Sequence, residues 1–202
     1  MNVSNHIVCT DFPCTDITTD GYTLPSIEID PAQVNIFMIS EAPPHNAGDY
    51  FYASDNSFYL QTTLQAFNQT GADVSSMEDL LGLGIYITTA IKCGKTKYSV
   101  SAKTIKNCSK LLEKEMELFP NMKTLLLMGD VAIKALNYIA KRQTGEKVIP
   151  SGSTYKIRKD EYSYRGMRVF PSYLQTGKSF LIEKSKQKMI AEDIMNALEI
   201  SK

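Results

Sequence analysis

Four cysteines are the residues of this 202-residue chain whose type and spacing most directly suggest chemistry. Cys9 and Cys14 are separated by four residues, and Cys93 and Cys108 by fourteen. Four thiolates can hold an iron–sulphur cluster or a zinc ion. Because cysteine is also a common core residue, four unrelated buried thiols are the alternative. So few cysteines in a chain of this length do not form a secreted disulfide scaffold.

A carboxylate at the end of a short apolar run is the second chemical feature. Residues 39–49 (ISEAPPHNAGD) place Glu41 directly after this run and before Pro43 and Pro44. Two prolines restrict the backbone, so they would fix the position of the carboxylate. The same stretch carries His45, one of only two histidines in the chain. His45 is either a solvated loop residue or a group that acts beside Glu41.

Alternating strands and helices must position these residues. The apolar pattern predicts strands at 34–39, 85–91, 124–128 and 168–170, and helices at 61–68, 104–119, 131–140 and 179–199. Residues 1–33 are interrupted by proline and glycine and are predicted to be irregular. We therefore expect one domain, 1–202, with a three-layer α/β/α fold and a central, mostly parallel four-stranded sheet. The irregular N-terminal segment would carry two of the cysteines.

This fold gives Glu41 a special position. In parallel α/β folds, ligands bind beyond the carboxyl ends of the strands. Glu41 follows the first predicted strand, and residues 129–130 and 171–177 follow the third and fourth. Glu41 therefore lies where an active site is expected.

Charge and composition narrow the function classes. The formal net charge is zero, which argues against a protein that coats nucleic acid indiscriminately. Six lysines and no acidic residue lie between positions 92 and 110, and a second basic group lies between 156 and 168. Each group is either a solvated surface or a nucleic-acid-binding face. The apolar runs are too short to span a bilayer and the N-terminus does not read as a signal peptide, so we expect a cytoplasmic location.

Seven segments, in order along residues 9–195, together resemble the uracil-DNA glycosylase superfamily and, within it, the iron–sulphur branch often called family 4. They are CTDFPC, ISEAPP, NSFYLQTTLQAF, IYITTAIKC, TIKNCSKLL, LLLMGDVAIKAL and FPSYLQTG. No single segment is specific, and the ordered set with both cysteine spacings carries the resemblance.

The resemblance implies hydrolysis of the N-glycosidic bond of uracil or a related damaged base in DNA, after base flipping. Such a reaction needs a carboxylate near the sugar and hydrogen-bond donors for the departing base. Glu41 would be the principal catalytic group, with Asp49 as a second acid and His45 as a further catalytic candidate. The implied base-binding residues are Ala42, Phe58, Thr89, Phe170 and Ser172. Phe58 can also be read as a core residue.

The resemblance also implies a [4Fe–4S] cluster held by Cys9, Cys14, Cys93 and Cys108, with zinc as the alternative. This centre would be structural and would lie near the DNA surface. The predicted DNA contacts are Lys92, Lys95, Lys97 and Lys103, which surround one of the cysteines. DNA would be the partner of a monomeric protein that needs no membrane and no obligate protein partner.

Two positions depart from the family pattern. The family carries asparagine at the position of Thr89 and histidine at that of Phe170. A threonine hydroxyl cannot make the two-point contact of an amide, and phenylalanine donates no hydrogen bond. The spacing of Cys9 and Cys14 is also wider than the C-x-x-C of the family. These departures predict another base lesion, a replacement group such as His45, or loss of activity. The competing interpretations are a non-enzymatic iron–sulphur nucleic-acid-binding protein of the same fold and a zinc-stapled α/β protein unrelated to DNA.

Overall fold

A computed structural model of the chain describes residues 1–97 and 99–201. Within these residues the strands are β1 Ile17–Thr18, β2 Ile36–Ser40, β3 Ile85–Thr89, β4 Gly94–Lys95, β5 Thr124–Met128, β6 Tyr162–Tyr164 and β7 Met167–Ser172. The α-helices are α1 Phe58–Asn68, α2 Met77–Gly82, α3 Ala102–Met116, α4 Asp130–Thr144, α5 Thr154–Ile157, α6 Lys178–Ile182 and α7 Lys184–Ser201. Helices alternate with strands, as the apolar pattern predicts.

The main sheet has five strands in the order β3-β2-β5-β7-β6. The first four are parallel, and β6 runs antiparallel to β7. The mostly parallel α/β fold is therefore confirmed, whereas the predicted count of four strands is wrong. The fifth strand forms because Arg165 and Gly166, both with positive φ, make a two-residue hairpin that pairs Tyr164 with Met167.

Helices cover both faces of the sheet. Phe37 and Ile39 of β2 belong to one apolar cluster, which includes residues of α3 and α4. Ile36 and Met38 of the same strand belong to a second cluster, which includes residues of α1 and α7. Strands buried on both faces read as continuous apolar runs, which explains why β2, β3 and β5 were visible in the sequence.

Several element boundaries differ from the predicted ones. Helix α1 begins at Phe58, three residues before the predicted start. Strand β7 continues to Ser172, two residues past the predicted end. The predicted C-terminal helix is divided at Glu183, whose backbone is not helical, into α6 and α7. These shifts change which side chains face the candidate site.

The N-terminal segment is more ordered than predicted and is tied to the sheet domain. Strand β1 pairs antiparallel with β4, with Ile17 opposite Lys95. Val3 and Ile7 are buried in the same cluster as Phe37. This segment therefore supports the loop that follows β3. Among the residues that the structure describes, no helix is both long and apolar enough to cross a membrane.

Candidate active site and cysteine cluster

Glu41 lies in a cleft of about 660 Å³ at the carboxyl edge of the sheet. The chain passes from β2 to β3 on one side and then to β5 on the other, so Glu41 marks the point where the strand order reverses. Its backbone carbonyl accepts a hydrogen bond from the Ile91 amide at 2.9 Å, which extends the ladder between β2 and β3. The backbone beneath the carboxylate is therefore fixed.

Two neighbours fix the Glu41 side chain. Lys95 Nζ lies 3.3 Å from Glu41 Oε2, and the two side chains are 26% and 20% exposed. On the other side, a Cβ atom placed on Gly129 would lie 3.1 Å from Glu41 Oε1. Gly129 immediately precedes α4, so the carboxylate sits at a helix N-terminus, where negative charge is favoured. The structure thus presents a partly buried, ion-paired carboxylate.

Tyr59, which sequence reasoning missed, lines the same cleft. Burial raises the pKa of Tyr59, the negative charges of Glu41 and Asp49 raise it further, and a hydrogen bond with Thr176 opposes them. The phenol therefore stays neutral near two acids and can donate a hydrogen bond. Phe58, the predicted aromatic, lines a separate surface groove on α1. Successive side chains of a helix point about 100° apart. Since α1 already includes residues 58 and 59, their rings point in different directions, and Tyr59 rather than Phe58 lines the Glu41 cleft.

Asp49 and His45 have different surroundings. Asp49 is half-buried at the end of a short 3₁₀ turn, and its charge reaches the Tyr59 phenol. His45 is exposed and lines a smaller pocket of about 220 Å³ together with Asp20. The structure therefore brings Asp49, but not His45, into the surroundings of the Glu41 cleft.

Thr89 ends β3 and lies directly opposite Ser40 of β2. Both hydroxyl groups are fully buried, and neither has a hydrogen-bond partner among residues 1–97 and 99–201. Ala42, which follows Glu41, is also buried. Ser40 immediately precedes Glu41 in the chain, Thr89 is its cross-strand partner, and buried hydroxyls without a partner are uncommon in native proteins.

Phe170 and Ser172, two of the predicted base-binding residues, are not among the residues that line the cleft. Phe170 is 6% exposed and belongs to the apolar cluster on the α7 side of the sheet. The Ser172 hydroxyl donates to Asp193 Oδ2 at 2.6 Å. Asp193 also binds the guanidinium of Arg158 at 2.7 Å, and burial raises its pKa despite these two partners. Both side chains of β7 therefore hold α7 against the sheet.

Lys92 was predicted to contact DNA, and its burial contradicts that role. Its side chain has no exposed surface, and it forms an ion pair with Glu115 of α3. Its ammonium group also donates to the Thr89 carbonyl at 2.6 Å and to the Thr88 hydroxyl at 2.8 Å. Lys97 and Lys103 are exposed, so they remain available at the surface.

Residues 27–192 match the family model of the uracil DNA glycosylase superfamily. The chain belongs to this superfamily. The match covers most of the chain and includes Glu41, Tyr59 and Lys95. It confirms the resemblance at the level of the superfamily. A search of the curated proteins found no significant match.

Two of the four cysteines, Cys9 and Cys14, lie outside the part that matches the uracil DNA glycosylase superfamily. Cys93 and Cys108 are buried, whereas Cys9 and Cys14 are half-buried. Burial raises the pKa of Cys93 to about 12, and the charges of Cys108, Cys9 and Cys14 contribute to the rise. Since all three act on Cys93, the fold gathers the four thiols in one neighbourhood.

The donor chemistry of this cluster fits a four-thiolate centre of iron–sulphur or zinc type. The backbone of Lys92 gives Cys108 a hydrogen bond, and Asn107 Nδ2 lies 3.9 Å from Cys14 Sγ. Hydrogen bonds to sulphur are a feature of iron–sulphur sites. In residues 1–97 and 99–201, however, no three Cys, His, Asp or Glu side chains are already arranged as a metal site. The thiols would have to turn inward to form a coordination shell.

Asp16 attaches the N-terminal cysteine pair to α3. The Ser101 amide donates to Asp16 Oδ2 at 2.6 Å, and the Thr104 hydroxyl donates to Oδ1. Burial raises the pKa of Asp16, but these hydrogen bonds outweigh it and the pKa lies below its ordinary value. Asp16 follows Cys14 by two residues, and α3 carries Cys108. The carboxylate therefore holds the two halves of the cysteine cluster together.

Proposed function

We propose that the protein is a DNA glycosylase that hydrolyses the N-glycosidic bond of uracil or a related damaged base. Membership of the superfamily supports DNA as the partner. The observation that carries the proposal is the Glu41 carboxylate, which is fixed between Lys95 and Gly129 at the carboxyl edge of the sheet. We further propose that the chain acts as a monomer.

Glu41 is the group that meets the reacting sugar. As the C1′–N bond breaks, the base leaves with the bonding electrons and the sugar becomes an oxocarbenium ion. A carboxylate stabilises this cation and accepts a proton from the water that adds to C1′. The ion pair with Lys95 holds the Glu41 side chain in place. Asp49 is the proposed second acid, and its charge, like that of Glu41, acts on the Tyr59 phenol.

Tyr59 and Lys95 are the proposed donors for the departing base. Negative charge develops on the base as the bond breaks, and hydrogen-bond donors aimed at it lower the barrier. Loss of one such donor costs about a hundredfold in rate. Phe170 donates no hydrogen bond, so we assign the role of the family's histidine to the neutral Tyr59 phenol and the Lys95 ammonium.

The unpartnered Thr89 hydroxyl is the proposed reader of the base edge. A hydroxyl both donates and accepts, whereas an amide offers a fixed donor and acceptor pair. We therefore expect weaker discrimination between bases than an asparagine would give, and a substrate range that includes deaminated bases other than uracil. Ala42, which directly follows Glu41, is a further proposed contact for the base.

We propose that Cys9, Cys14, Cys93 and Cys108 hold a [4Fe–4S] cluster, with a zinc ion as the alternative. Such a centre supplies a structural cross-link between the N-terminal segment and α3, and it takes no part in the hydrolysis. Lys97 and Lys103 lie near these cysteines in the chain and are the proposed phosphate contacts.

An oligonucleotide assay tests the activity. Anaerobically purified protein is incubated with single- and double-stranded oligonucleotides that carry uracil, hypoxanthine or xanthine, and abasic sites are then cleaved with alkali. We expect excision of at least one base by the wild type and a loss of at least a hundredfold in Glu41→Gln. The conservative change Asp20→Asn, at an exposed acid outside the cleft, should leave the rate unchanged. Equal excision by wild type and Glu41→Gln would disprove the role of Glu41.

The same assay distinguishes a second function. Phe170 and Ser172 do not line the cleft, which favours a protein that binds nucleic acid without excising the base. That protein would bind the oligonucleotides in both forms and excise nothing. Iron, sulphide and zinc analysis of the same preparation separates the two cofactors, because a [4Fe–4S] protein is brown and a zinc protein is colourless.

A further inference from the structure

We infer that a second groove, continuous with the Glu41 cleft, binds the single-stranded nucleotides on one side of the reacting nucleotide. This inference rests on the proposed function, since the cleft must hold the reacting nucleotide. The groove has a volume of about 470 Å³. It lies between the start of α3, the outer side of α4 and the segment 147–154.

The two cavities form one path. Val100, Ile105, Asp130 and Lys134 line both the groove and the Glu41 cleft. From Asp130 the groove follows α4 to Lys141. Eleven helical residues span about 16 Å, and stacked nucleotides rise about 3.4 Å each. The groove is therefore long enough for more than one nucleotide beyond the cleft.

The charge of the groove suits a phosphate backbone. Lys134, Lys141 and Lys147 line it, and Asp130 is its acidic residue. Asp130 forms an ion pair with Lys134 at 2.5 Å. Lys141 and Lys147 are exposed, and both can approach phosphate oxygens. Polynucleotide binding through such lysines releases counterions and depends strongly on salt.

The groove also offers surfaces for bases. Tyr138 of α4 is half-exposed in it, beside the apolar side chains of Ile133 and Ile157. Aromatic side chains next to a basic track are a common platform for stacking single-stranded bases. The bases of a single strand are free to stack on such a surface, whereas the bases of a duplex are paired and stacked inside the double helix. A single strand therefore fits this groove better than a duplex.

One wall of the groove is fixed before any ligand binds. The Asn137 side chain accepts hydrogen bonds from the amides of Val148 and Ile149 at 3.0 and 2.9 Å. It also donates to the Ile149 carbonyl at 2.9 Å, and Ile149 is fully buried. A Cβ atom on Gly152 would lie 2.9 Å from Ile157 Cγ2, so this segment packs tightly on α5. A preformed wall reduces the ordering cost of binding.

The test measures binding rather than excision. The probes are fluorescent oligonucleotides whose target deoxyuridine carries a 2′-fluorine that slows bond cleavage, with five flanking nucleotides on the 5′ side, on the 3′ side or on neither. Fluorescence anisotropy gives the affinity over a range of salt concentrations. For wild type, flanks on one side should tighten binding about tenfold or more, as expected for one or more stacked bases. Flanks on the other side should add much less.

The double variant Lys141→Glu/Lys147→Glu should lose most of that gain, and the slope of log affinity against log salt should fall by about 1.4 for two lost phosphate contacts. Tyr138→Ala should lose part of the gain without a change of slope. The control is Lys114→Glu, an exposed lysine in the last turn of α3, which should behave as wild type. Thermal unfolding checks that each variant is folded.

The inference fails if flanks on neither side tighten binding, or if the double variant and Lys114→Glu retain the gain equally. These outcomes are independent of the excision assay. One-sided binding without excision by the wild type would leave the groove intact and disprove the glycosylase proposal. Excision without one-sided binding would disprove the groove and leave the glycosylase proposal intact.

Discussion

A side chain at Gly129 would crowd the carboxyl group of Glu41, which lies against this glycine. A Cβ atom there would be 3.1 Å from Glu41 Oε1, and the residue has a φ of +98°. Gly129→Ala should therefore displace the carboxylate as well as strain the backbone by about 1–3 kcal/mol. We expect kcat on the best substrate to fall at least tenfold.

Gly71 provides the matched control for this change. It also has a positive φ, of +88°, but nothing lies within 4 Å of its added Cβ. Gly71→Ala should therefore lower stability without a change in kcat. If both variants kept full activity at equal stability, the contact between Glu41 and Gly129 would have no part in catalysis.

The buried ion pair between Lys92 and Glu115 gives a stability prediction. Both side chains have no exposed surface, and the Tyr86 hydroxyl donates to Glu115 Oε1 at 2.7 Å. Lys92→Met alone leaves a buried carboxylate unpaired and should reduce the free energy of unfolding by about 3–5 kcal/mol. Lys92→Met/Glu115→Leu should recover much of this loss, because no buried charge is left.

Urea unfolding of the two single variants and the double variant measures the coupling. The exposed pair of Lys134 and Asp130 serves as the control, since such pairs contribute less than about 1 kcal/mol. If the double variant were less stable than Lys92→Met, the loss of stability in Lys92→Met could not be attributed to the unpaired charge of Glu115.

The strands and the place of Glu41 could be read from the sequence for one physical reason. Strands β2, β3 and β5 are covered by helices on both faces, so each is a continuous apolar run that ends abruptly. The residue after β2 then falls at the carboxyl edge of the sheet, where parallel folds bind ligands. Nothing beyond this local pattern was needed to find Glu41.

The failures come from contacts that no local pattern contains. Lys92 looks like part of an exposed lysine run, because its partner Glu115 lies 23 residues further along the chain. Tyr59 does not stand out in the sequence, because the apolar pattern predicts that α1 starts at residue 61. Residues 58 and 59 then lie before the helix, and the pattern does not show which way their side chains point. Strand β7 continues to Ser172, past its predicted end, so Phe170 and Ser172 lie within the sheet and contact the α7 side instead of belonging to a loop at the cleft.

Tyr50 has a buried hydroxyl without a partner. Tyr50→Phe removes this unsatisfied group and should raise the free energy of unfolding by about 1 kcal/mol. Chemical denaturation at pH 7 measures the change. If excision falls while stability rises, the hydroxyl serves the substrate; a loss of stability would mean that the hydroxyl has a bonding partner in solution.

Stability should decline at alkaline pH. Burial raises the pKa values of Tyr50, Tyr52 and Tyr86 above the ordinary value of 10. A group with a raised folded-state pKa contributes stability that is complete below its unfolded pKa and is lost as pH rises toward the folded value. Each tyrosine should lower the free energy of unfolding by about 1.4 kcal/mol per pH unit above pH 10. Tyr50→Phe should show a slope that is shallower by one such contribution, and an unchanged slope would contradict the burial of Tyr50.

Asp16 leads to a prediction about the proposed metal centre, because its carboxylate should determine how firmly the four cysteines retain a metal. Asp16→Ala removes the hydrogen bonds to Ser101 and Thr104, so the segment that carries Cys14 should detach from α3 more readily. Iron or zinc should then be lost several times faster to a chelator than from wild type, as absorbance or metal analysis would show. Asp20→Ala, at an exposed site on the same segment, is the control. Equal rates of loss would remove Asp16 from any role in metal retention.

Strand β1 lies outside residues 27–192, the part of the chain that matches the family, yet it pairs with β4, which carries Lys95. A fragment cut at residue 27 would keep every residue of the Glu41 cleft, yet it would lose Ile17, the backbone partner of Lys95. Lys95, which forms the ion pair with Glu41, would then lie on β4 without the strand that pairs with it. If the proposed function holds, truncation at the family boundary should lower the excision activity, although the removed residues 1–26 lie outside the matched part of the chain.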